Sequence, residues 1–345
     1  MFGQSGALFG GMNLFNKAPG IGLDIGSKRI KLAQVKNHKQ TFELVKFGSL
    51  LTPEGLVEGG IIKDPERLGE AMRSLVQDLK LEGNSAVSAV AGQQVYTRNI
   101  VMPSMPLLEL REALQFQAMS FLPIPVEEAV MDIFPLREFD DDDGKKTEVF
   151  FVAVRKQQVE VLDIACKIAG LNLVAVEIEP IAVNRVLNSL LDNEVKAYLN
   201  VGASRSYFTV FRNGMMVFYR HLSFGFSPFF QPMTAWGAIA EDSGEMEQDD
   251  RYEYLMRDVV AEISRSVEYY EMQNGDSEIT QILVCGGGTR LKKLGSTLSE
   301  GIGREVIYAD MLSIVKIPSR VSEEEYRDLK HDFTVAIGLA GRAKV

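Results

Sequence analysis

The sequence contains little cysteine and histidine and has no long apolar run. Its two cysteines, Cys166 and Cys285, lie far apart inside apolar segments, which excludes a disulfide framework and predicts buried, reduced thiols. The three histidines, His38, His221 and His331, are scattered and show no spacing typical of a metal site. No apolar run approaches the ~20 residues that cross a bilayer, so no membrane span is predicted.

Positive charge is also in deficit. The chain has 37 Lys and Arg residues against 47 Asp and Glu residues, a net charge of −10, so a basic face for nucleic acid is not predicted. Its 345 residues are enough for two domains with ordinary cores. Residues 1–17 lack the basic region and apolar stretch of a signal peptide. We therefore expect a flexible N-terminal arm on a cytoplasmic protein.

Two short segments read as strand–turn–strand units with the same pattern. They are LDIGSKRIKL at residues 23–32 and LNVGASRSYF at residues 199–208. An offset of 176 aligns residues 23–37 with the second unit without a gap, and four residues then recur: Leu23/Leu199, Gly26/Gly202, Arg29/Arg205 and Asn37/Asn213. The repeat predicts two homologous half-domains.

The segments between and after these two units contain residues typical of helix starts and ends. Asp64-Pro65 is an N-cap followed by proline at the first helical position, and apolar residues at helical spacing follow. The helix immediately before Gly170 is predicted to end at that glycine. A long helix is predicted after residue 250. Residues 226–250 mix aromatics, glycine, proline and acids without periodicity, which favours a mobile loop. Residues 321–331 are predicted to form a charged helix, and a helix of small residues is predicted over residues 333–342.

Residues 93–170 read as an inserted β-α-β-β-α unit. Its first helix follows Pro106 and places four apolar residues on one side, which are Leu107, Leu110, Leu114 and Phe121. Phe116 and Met119 fall off that stripe. The run DDDDGKK predicts a solvated hairpin tip, because four adjacent carboxylates cannot all face one metal ion.

The two small-residue turns suggest phosphate binding. Such turns expose backbone N–H groups that hold phosphate oxygens, and the carboxylate of Asp24 could hold a hydrated Mg²⁺. The alternative is a pair of tight hairpins that need glycine for a positive φ. A third element, LVCGGG at 283–288, is a strand followed by three glycines, and Thr289 and Arg290 are predicted to open a helix there. Neither a Walker loop nor a dinucleotide-binding fingerprint is present.

Taken together, LDIGS, LNVGA, the EIEP end of the strand at 173–178 and VCGGGTRL resemble the phosphate, connecting and adenosine motifs of the actin–hexokinase superfamily. The inserted block VYTRNIVMPSMPLLELREALQFQAMSFLPIPVEEAVMDIFPL resembles the extra subdomain of the PilM family of type IV pilus assembly proteins, which is similar to FtsA. The resemblance implies an α/β, actin-like (ribonuclease H-like) fold. In that fold, duplicated β-hairpin/βαβ domains surround a nucleotide cleft.

The resemblance also implies a division of the chain. After the arm at 1–17, the first core comprises residues 18–92 and 171–196 together with the C-terminal helix 333–345, and the inserted subdomain comprises residues 93–170. The second core comprises residues 197–225 and 278–332. A smaller subdomain of the second half comprises residues 226–277 and contains the irregular loop 226–250.

Site residues follow from the same resemblance. The implied ligands are ATP and Mg²⁺, held by a first turn of Asp24, Gly26, Ser27 and Lys28, a second turn of Asn200, Gly202, Ala203 and Ser204, and an adenosine segment of Gly286, Gly287, Gly288 and Arg290. Asp24 would hold the metal through water. Glu179, in the EIEP segment, would position the attacking water.

Two departures from the superfamily pattern affect the expected activity. The second turn has Asn200 where the superfamily usually has aspartate, and Ser204 where many relatives have glycine. Losing the carboxylate removes a charge that positions the metal and its waters. Residues 226–250 lack the usual glycine pair and helix, so ribose contacts from that subdomain are not expected. The sequence therefore predicts ATP binding with weak turnover or none.

The resemblance implies a scaffold of a type IV pilus assembly machine. It would bind the cytoplasmic N-terminal tail of an inner-membrane partner of the PilN type, which would recruit it to the inner face of that membrane, and nucleotide would tune the contact. Phe116 and Met119 are the candidate residues for the partner groove. Two alternatives are an FtsA- or actin-like polymer formed by self-association, and a small-molecule kinase, for which no DxG-type base motif appears after residue 200.

Overall fold

The computed structural model describes residues 20–38, 41–92, 94–227, 250–275, 277–291 and 293–342. The predicted arm at 1–17 and most of the predicted loop at 226–250 lie outside these ranges. None of the helices within them is long and apolar enough to cross a membrane.

The described residues form three larger sheets, a small hairpin and a set of helices. The strands are β1 (Gly20–Ile25), β2 (Arg29–His38), β3 (Thr41–Leu51), β4 (Val57–Glu58), β5 (Ile61–Ile62), β6 (Ser85–Val90), β7 (Val95–Pro103), β8 (Ala129–Asp141), β9 (Gly144–Arg155), β10 (Asn172–Ile178), β11 (Val195–Val201), β12 (Ser206–Arg212), β13 (Met215–Leu222), β14 (Gln281–Cys285), β15 (Glu305–Tyr308) and β16 (Val315–Lys316). The α-helices are α1 (Pro65–Asp78), α2 (Leu107–Ala118), α3 (Lys156–Ala169), α4 (Glu179–Leu187), α5 (Asp250–Asn274), α6 (Leu294–Ile302), α7 (Glu323–Asp332) and α8 (Thr334–Arg342).

Two sheets repeat one arrangement, which confirms the predicted duplication. The first has the order β10-β6-β1-β2-β3-β16 and the second β13-β12-β11-β14-β15. In each sheet, three strands that are consecutive in the chain pair antiparallel: β1, β2 and β3 in the first sheet, and β11, β12 and β13 in the second. On the other side of the first of these strands lie two parallel strands, β6 and β10 in the first sheet and β14 and β15 in the second. The parallel strands are reached through helices, as a crossover connection requires.

The predicted N-terminal signal of α1 is confirmed. Asp64 accepts a hydrogen bond from the backbone N–H of Arg67 at 2.9 Å, and Pro65 takes the first helical position. The face of α1 that carries Leu68 and Met72 is buried and packs against α3. Close contact is possible because Gly69 has no side chain there: a Cβ would lie 2.7 Å from the Ala165 carbonyl oxygen.

The inserted subdomain has a core of its own, and α3 is not part of it. Its sheet has the order β7-β9-β8, and α2 contributes Leu110 and Leu114 to a cluster that is separate from the main core. The apolar face of α3, with Leu162 and Cys166, joins the main core instead. The boundary at 170 is therefore wrong by one helix, because periodicity identifies a buried face but not the core that receives it.

Two further expectations for the insert are corrected, and one is confirmed. Leu107 is 43% exposed rather than buried, since it stands at the first position of α2. Phe121 lies beyond the end of α2 at Ala118, although its ring packs edge-on against Phe151 at 5.2 Å. The acidic run at residues 140–143 is exposed and forms the hairpin tip between β8 and β9, with Gly144 at φ 109°.

The C-terminal helix α8 lies directly on the first sheet. A Cβ on Gly22 of β1 would lie 1.9 Å from the Ala336 carbonyl oxygen, and one on Gly338 would lie 2.0 Å from the Ala182 carbonyl oxygen. Glycine at both positions lets α8 approach β1 and α4 backbone to backbone. Just before α7, β16 pairs with β3 of the first sheet, so part of the range 278–332 assigned to the second core belongs to the first sheet.

Candidate nucleotide cleft

The two glycine turns face each other across the cleft between the halves. The backbone N–H of Gly26 donates to the Arg29 carbonyl at 3.0 Å, and that of Gly202 donates to the Arg205 carbonyl at 3.0 Å. The hydroxyl oxygens of Ser27 and Ser204 lie 2.8 Å apart. The turns are thus equivalent in geometry as well as in sequence, and they meet at their tips.

Glycine is needed in these turns, but not for the positive φ that the alternative of two tight hairpins assumes. Neither Gly26 nor Gly202 has a positive φ. A Cβ on Gly26 would instead lie 2.8 Å from the Arg29 carbonyl oxygen, and one on Gly202 would lie 2.7 Å from that of Arg205. The constraint is the close backbone approach within the turn, which leaves no room for a side chain.

The first turn has Asp24 where the second has Asn200, and the residues opposite them on the neighbouring strands also differ. Asp24 lies opposite Lys31 in the β1–β2 register, and the Lys31 Nζ is 2.6 Å from the Asp24 Oδ2. At the equivalent positions, Asn200 lies opposite Tyr207, and the Asn200 Nδ2 donates to the Tyr207 Oη at 2.8 Å. An ion pair in the first half is therefore replaced by a neutral pair in the second.

Burial and neighbouring charges fix the ionisation of these pairs. Burial lowers the pKa of Lys31, but the carboxylates of Asp24 and Asp332 outweigh it and the pKa is raised, so the amine stays charged. Burial raises the pKa of Tyr207 well above its ordinary value, so the phenol stays neutral. At neutral pH the first half of the cleft carries an ion pair, and the second half offers an amide and a hydroxyl.

Glu179 lies on the first-half wall, where β10 runs into α4. As the first residue of α4 it is 8% exposed, and its Oε1 accepts a hydrogen bond from the Arg205 Nη2 at 2.8 Å. Burial raises the pKa of Glu179, and the Arg205 guanidinium offsets only part of that effect. The candidate water-positioning group is therefore held by an arginine from the opposite half.

The three glycines after β14 bring backbone against the second turn. A Cβ on Gly286, which has φ 87°, would lie 2.2 Å from the Asn200 Oδ1, and one on Gly287 would lie 2.7 Å from the Phe226 ring. Only a 3₁₀ turn, Gly287–Arg290, follows, and α6 begins at Leu294. The prediction that Thr289 and Arg290 open a helix is thus wrong, and no α-helix N-terminus faces the cleft from this segment.

The adenosine-segment residues do not all reach the cleft. Gly286 and Gly287 line it, whereas a Cβ on Gly288 would meet the Val201 side chain at 2.2 Å. The Arg290 side chain is 4% exposed and donates to Asp328 at 2.9 Å and to Asp332 at 2.6 Å. The structure thus places Gly288 and Arg290 behind the cleft wall. The other predicted nucleotide residues, on the first and second turns, line the cleft.

The cleft residues that were not predicted from the sequence include Lys31, Tyr207, His331 and Asp332. Lys31 and Tyr207 fall inside the aligned repeat, where the antiparallel register could have paired them with Asp24 and Asn200. His331 and Asp332 have no local signal, since they reach the cleft from the end of α7. The His331 Nδ1 lies 2.6 Å from the Thr289 hydroxyl, and burial lowers the pKa of His331 to about 4, which keeps it neutral.

The cleft is closed in this structure. The cavity between the turns has a volume of about 90 Å³, whereas pockets for ligands of drug size measure roughly 300–1,000 Å³. The residues fit a nucleotide in chemistry, since two equivalent turns of small residues face each other and the Asp24 carboxylate lies beside them. A bound nucleotide requires the turns to move apart.

Phe116 and Met119, the predicted partner-groove residues, lie on the outer surface of the insert. Their exposed fractions are 73% and 62%, which agrees with their place off the buried stripe of α2.

Duplicated halves, each with three antiparallel strands, a glycine turn and two parallel strands around one cleft, define an actin-like (ribonuclease H-like) fold. The family model of the type IV pilus assembly protein PilM matches residues 22–344, and the chain belongs to this family. The resemblance seen in the inserted block is thereby confirmed.

Solved structures that are similar to this chain include a PilM-PilN type IV pilus biogenesis complex. The chain is 24% identical to it, with a TM-score of 0.79 over 96% of this chain and 100% of that one. The ethanolamine utilization protein EutJ from Carboxydothermus hydrogenoformans is 15% identical, with a TM-score of 0.49 over 95% and 91% of the two chains. MreB 5 of Spiroplasma citri bound to AMPPNP is 11% identical, with a TM-score of 0.48 over 91% and 96%.

Proposed function

We propose that this chain is a cytoplasmic, ATP-binding scaffold of a type IV pilus assembly machine. It binds the N-terminal cytoplasmic tail of an inner-membrane protein of the PilN type, which brings it to the inner face of that membrane. The proposal that the chain binds nucleotide rests on one observation: two equivalent glycine turns meet across one cleft, and the carboxylate of Asp24 lies on one side of it. Membership of the PilM family and the similarity to a PilM-PilN complex support the partner.

In this proposal the turns take opposite sides of the polyphosphate. Backbone N–H groups around Ser27 and Ala203 would hold its oxygens, and Lys31 would neutralise part of its charge. Asp24 would hold Mg²⁺ through water, the usual arrangement for a cation that keeps several of its waters. Gly286 and Gly287 would lie against the adenosine.

Slow hydrolysis follows from the neutral second turn. With Asn200 paired to Tyr207, the second turn offers no carboxylate to position the metal or its waters, and Glu179 is occupied by Arg205. Nucleotide would then act through its differential affinity for the open and closed cleft, which is the only way in which it can bias partner binding.

We expect purified protein to bind Mg²⁺·ATP with a Kd on the order of micromolar and to release almost no phosphate. The measurement is calorimetric titration with phosphate release followed in the same samples. Met272→Ala, at a position 85% exposed on α5, is the control and should match the parent.

Three results would contradict this expectation. Fast turnover favours an enzyme, with the small-molecule kinase first among the alternatives. ATP-dependent sedimentation favours the actin-like polymer. Absence of ATP binding, shown by titrations without heat at two temperatures, would mean that the two turns serve architecture alone and would leave the partner peptide as the ligand to pursue.

For the partner we propose a groove between the insert and the second half. It has a volume of about 520 Å³ and is lined by Tyr96, Arg98 and Phe121 on one side and by Tyr219 and Ser223 on the other. The groove runs between β7 and β13, each the edge strand of its sheet. Edge strands offer unpaired N–H and C=O groups to an extended peptide, and flanking pockets take its side chains.

We expect Ser223→Trp to weaken binding of the PilN N-terminal peptide by about tenfold or more, because an indole at this exposed position fills the groove. The measurement is fluorescence anisotropy with a labelled synthetic peptide. The matched variant is Phe116→Ala with Met119→Ala, which should bind within twofold of the parent. If the double variant loses binding and Ser223→Trp does not, the partner surface is the outer face of α2, which includes Phe116 and Met119.

A further inference from the structure

The repeated arginines of the two hairpins cross the cleft in opposite directions. Arg205, from the second half, donates through Nη2 to Glu179 of the first half at 2.8 Å. Arg29, at the equivalent position of the first half, donates to Asp328 of α7, and Asp328 is also held by Arg290 beside the second-half glycines at 2.9 Å. Each hairpin thus places an arginine on a carboxylate that is fixed outside its own half.

The first half has a slot built for Arg205. A Cβ on Gly60 would lie 2.3 Å from the Arg205 Nη1 and 2.8 Å from the Ala91 carbonyl oxygen, and one on Gly92 would lie 3.9 Å from the Arg205 Cδ. Gly60 and Gly92 have φ of 83° and 97°, a region that side chains rarely adopt. The guanidinium therefore passes between two glycine backbones, and its side chain is only 12% exposed.

The two crossings coincide with closure of the cleft. The Ser27–Ser204 contact and the cavity of about 90 Å³ occur in the same structure as the Arg205–Glu179 and Arg29–Asp328 pairs. Separating the turns withdraws at least one guanidinium from its carboxylate. These charge-assisted bonds are among the strong hydrogen bonds of a protein, so they resist opening.

We propose that Arg29 and Arg205 are reciprocal latches that hold the empty cleft closed, and that a polyphosphate releases them. Both arginines begin at the turns that would receive the phosphates, so the anionic oxygens compete with Glu179 and Asp328 for the guanidinium groups. Release of Arg205 also frees Glu179. The nucleotide trigger rests on the proposed ATP binding, whereas latching of the empty cleft does not.

Disulfide trapping of the two turns tests the latch. Because the two serine oxygens lie 2.8 Å apart, the double variant Ser27→Cys/Ser204→Cys is expected to cross-link readily in the empty protein. The native thiols, Cys166 and Cys285, are buried, and burial raises the pKa of Cys166 to about 12, so they react slowly. The single-cysteine variants are the background controls.

Removing the latches is expected to slow cross-linking. In the double-cysteine protein, Arg205→Met or Arg29→Met should lower the cross-linking rate by about fivefold or more, as loss of a coupling between two halves does. Mg²⁺·ATP should lower the rate in the protein with both arginines. The matched control is Arg304→Met, which removes the ion pair of Arg304 with Glu271 and should leave the rate unchanged.

The cross-linking rates distinguish closure of the empty cleft by the two arginines from its release by Mg²⁺·ATP. If neither arginine variant slows cross-linking, the latch is overturned whatever ATP does. If the arginine variants slow it and Mg²⁺·ATP does not, the latch stands and the nucleotide trigger is overturned, whereas the ATP-binding proposal is decided separately by the calorimetric titration of the parent protein. Should Arg205→Met not fold, as judged by circular dichroism, Glu179→Leu removes the acceptor of the same bond from the other side and decides the question.

Discussion

Asp24→Asn is expected to weaken Mg²⁺-dependent ATP binding by about ten- to a hundredfold, the range found when a group that orients a metal through its outer shell is removed. The side chain keeps its size and can still accept a hydrogen bond from Lys31. What it loses is the charge that stands beside the first turn, and the second turn cannot replace it, because Asn200 is paired with neutral Tyr207. Calorimetric titration with ATP in Mg²⁺ and in EDTA measures the effect.

The same substitution is expected to destabilise the protein. It leaves the Lys31 amine buried without its nearest carboxylate, and breaking a buried pair by removing one partner costs about 3–5 kcal/mol. A urea titration gives the free energy of unfolding, which shows whether lost binding reflects lost folding.

The matched control is the opposite exchange at the equivalent position. Asn200→Asp places a carboxylate next to the Tyr207 hydroxyl, which can donate to it, and should strengthen the Mg²⁺ dependence of binding and raise phosphate release. Equal binding by Asp24→Asn and the parent in Mg²⁺ would show that the metal is held elsewhere.

The sequence was sufficient for the architecture because the architecture is local and repeated. Each glycine turn sits between two strands of clear apolar alternation, and the same pattern recurs 176 residues later. An N-cap such as Asp64 and a left-handed terminator such as Gly170, at φ 87°, are chemical signals at single positions. These features do not depend on the rest of the chain.

The sequence was insufficient where the outcome depended on which surfaces meet. The apolar stripe of α3 says that one face is buried, but its partner α1 lies about a hundred residues earlier. The pairing of Arg29 with Asp328 joins residues 299 positions apart, and no periodicity connects them. Closure of the cleft depends on such pairs, so it could not be predicted from the turns alone.

The repeat also determines which residues face each other across each hairpin. With a turn at residues 26–28, antiparallel geometry puts Asp24 opposite Lys31, and the offset of 176 then puts Asn200 opposite Tyr207. The change from aspartate to asparagine is therefore part of a change of the whole cross-strand pair. Reading positions as pairs across the hairpin would have identified Lys31 and Tyr207 as cleft residues.

Gly22→Ala is expected to lower the free energy of unfolding by more than about 3 kcal/mol, the upper end for overpacking a core. The added methyl would lie 1.9 Å from the Ala336 carbonyl oxygen and 2.5 Å from the Ala340 backbone nitrogen. Both are backbone atoms of α8, so no side chain can rotate away, and the whole helix has to move off β1. Urea unfolding followed by circular dichroism measures the loss.

Gly83→Ala separates this clash from the general cost of replacing glycine. Gly83 has φ 73° and open space where its Cβ would lie, so the substitution should cost only the ~1–2 kcal/mol of a left-handed conformation. Since Thr334 and Val335 at the start of α8 line the cleft, displacing α8 should also weaken ATP binding, which Gly83→Ala should leave unchanged. A smaller loss of stability for Gly22→Ala than for Gly83→Ala would contradict the close backbone packing of α8 on β1. It would also mean that α8, whose first residues line the cleft, can move away from the sheet at little cost.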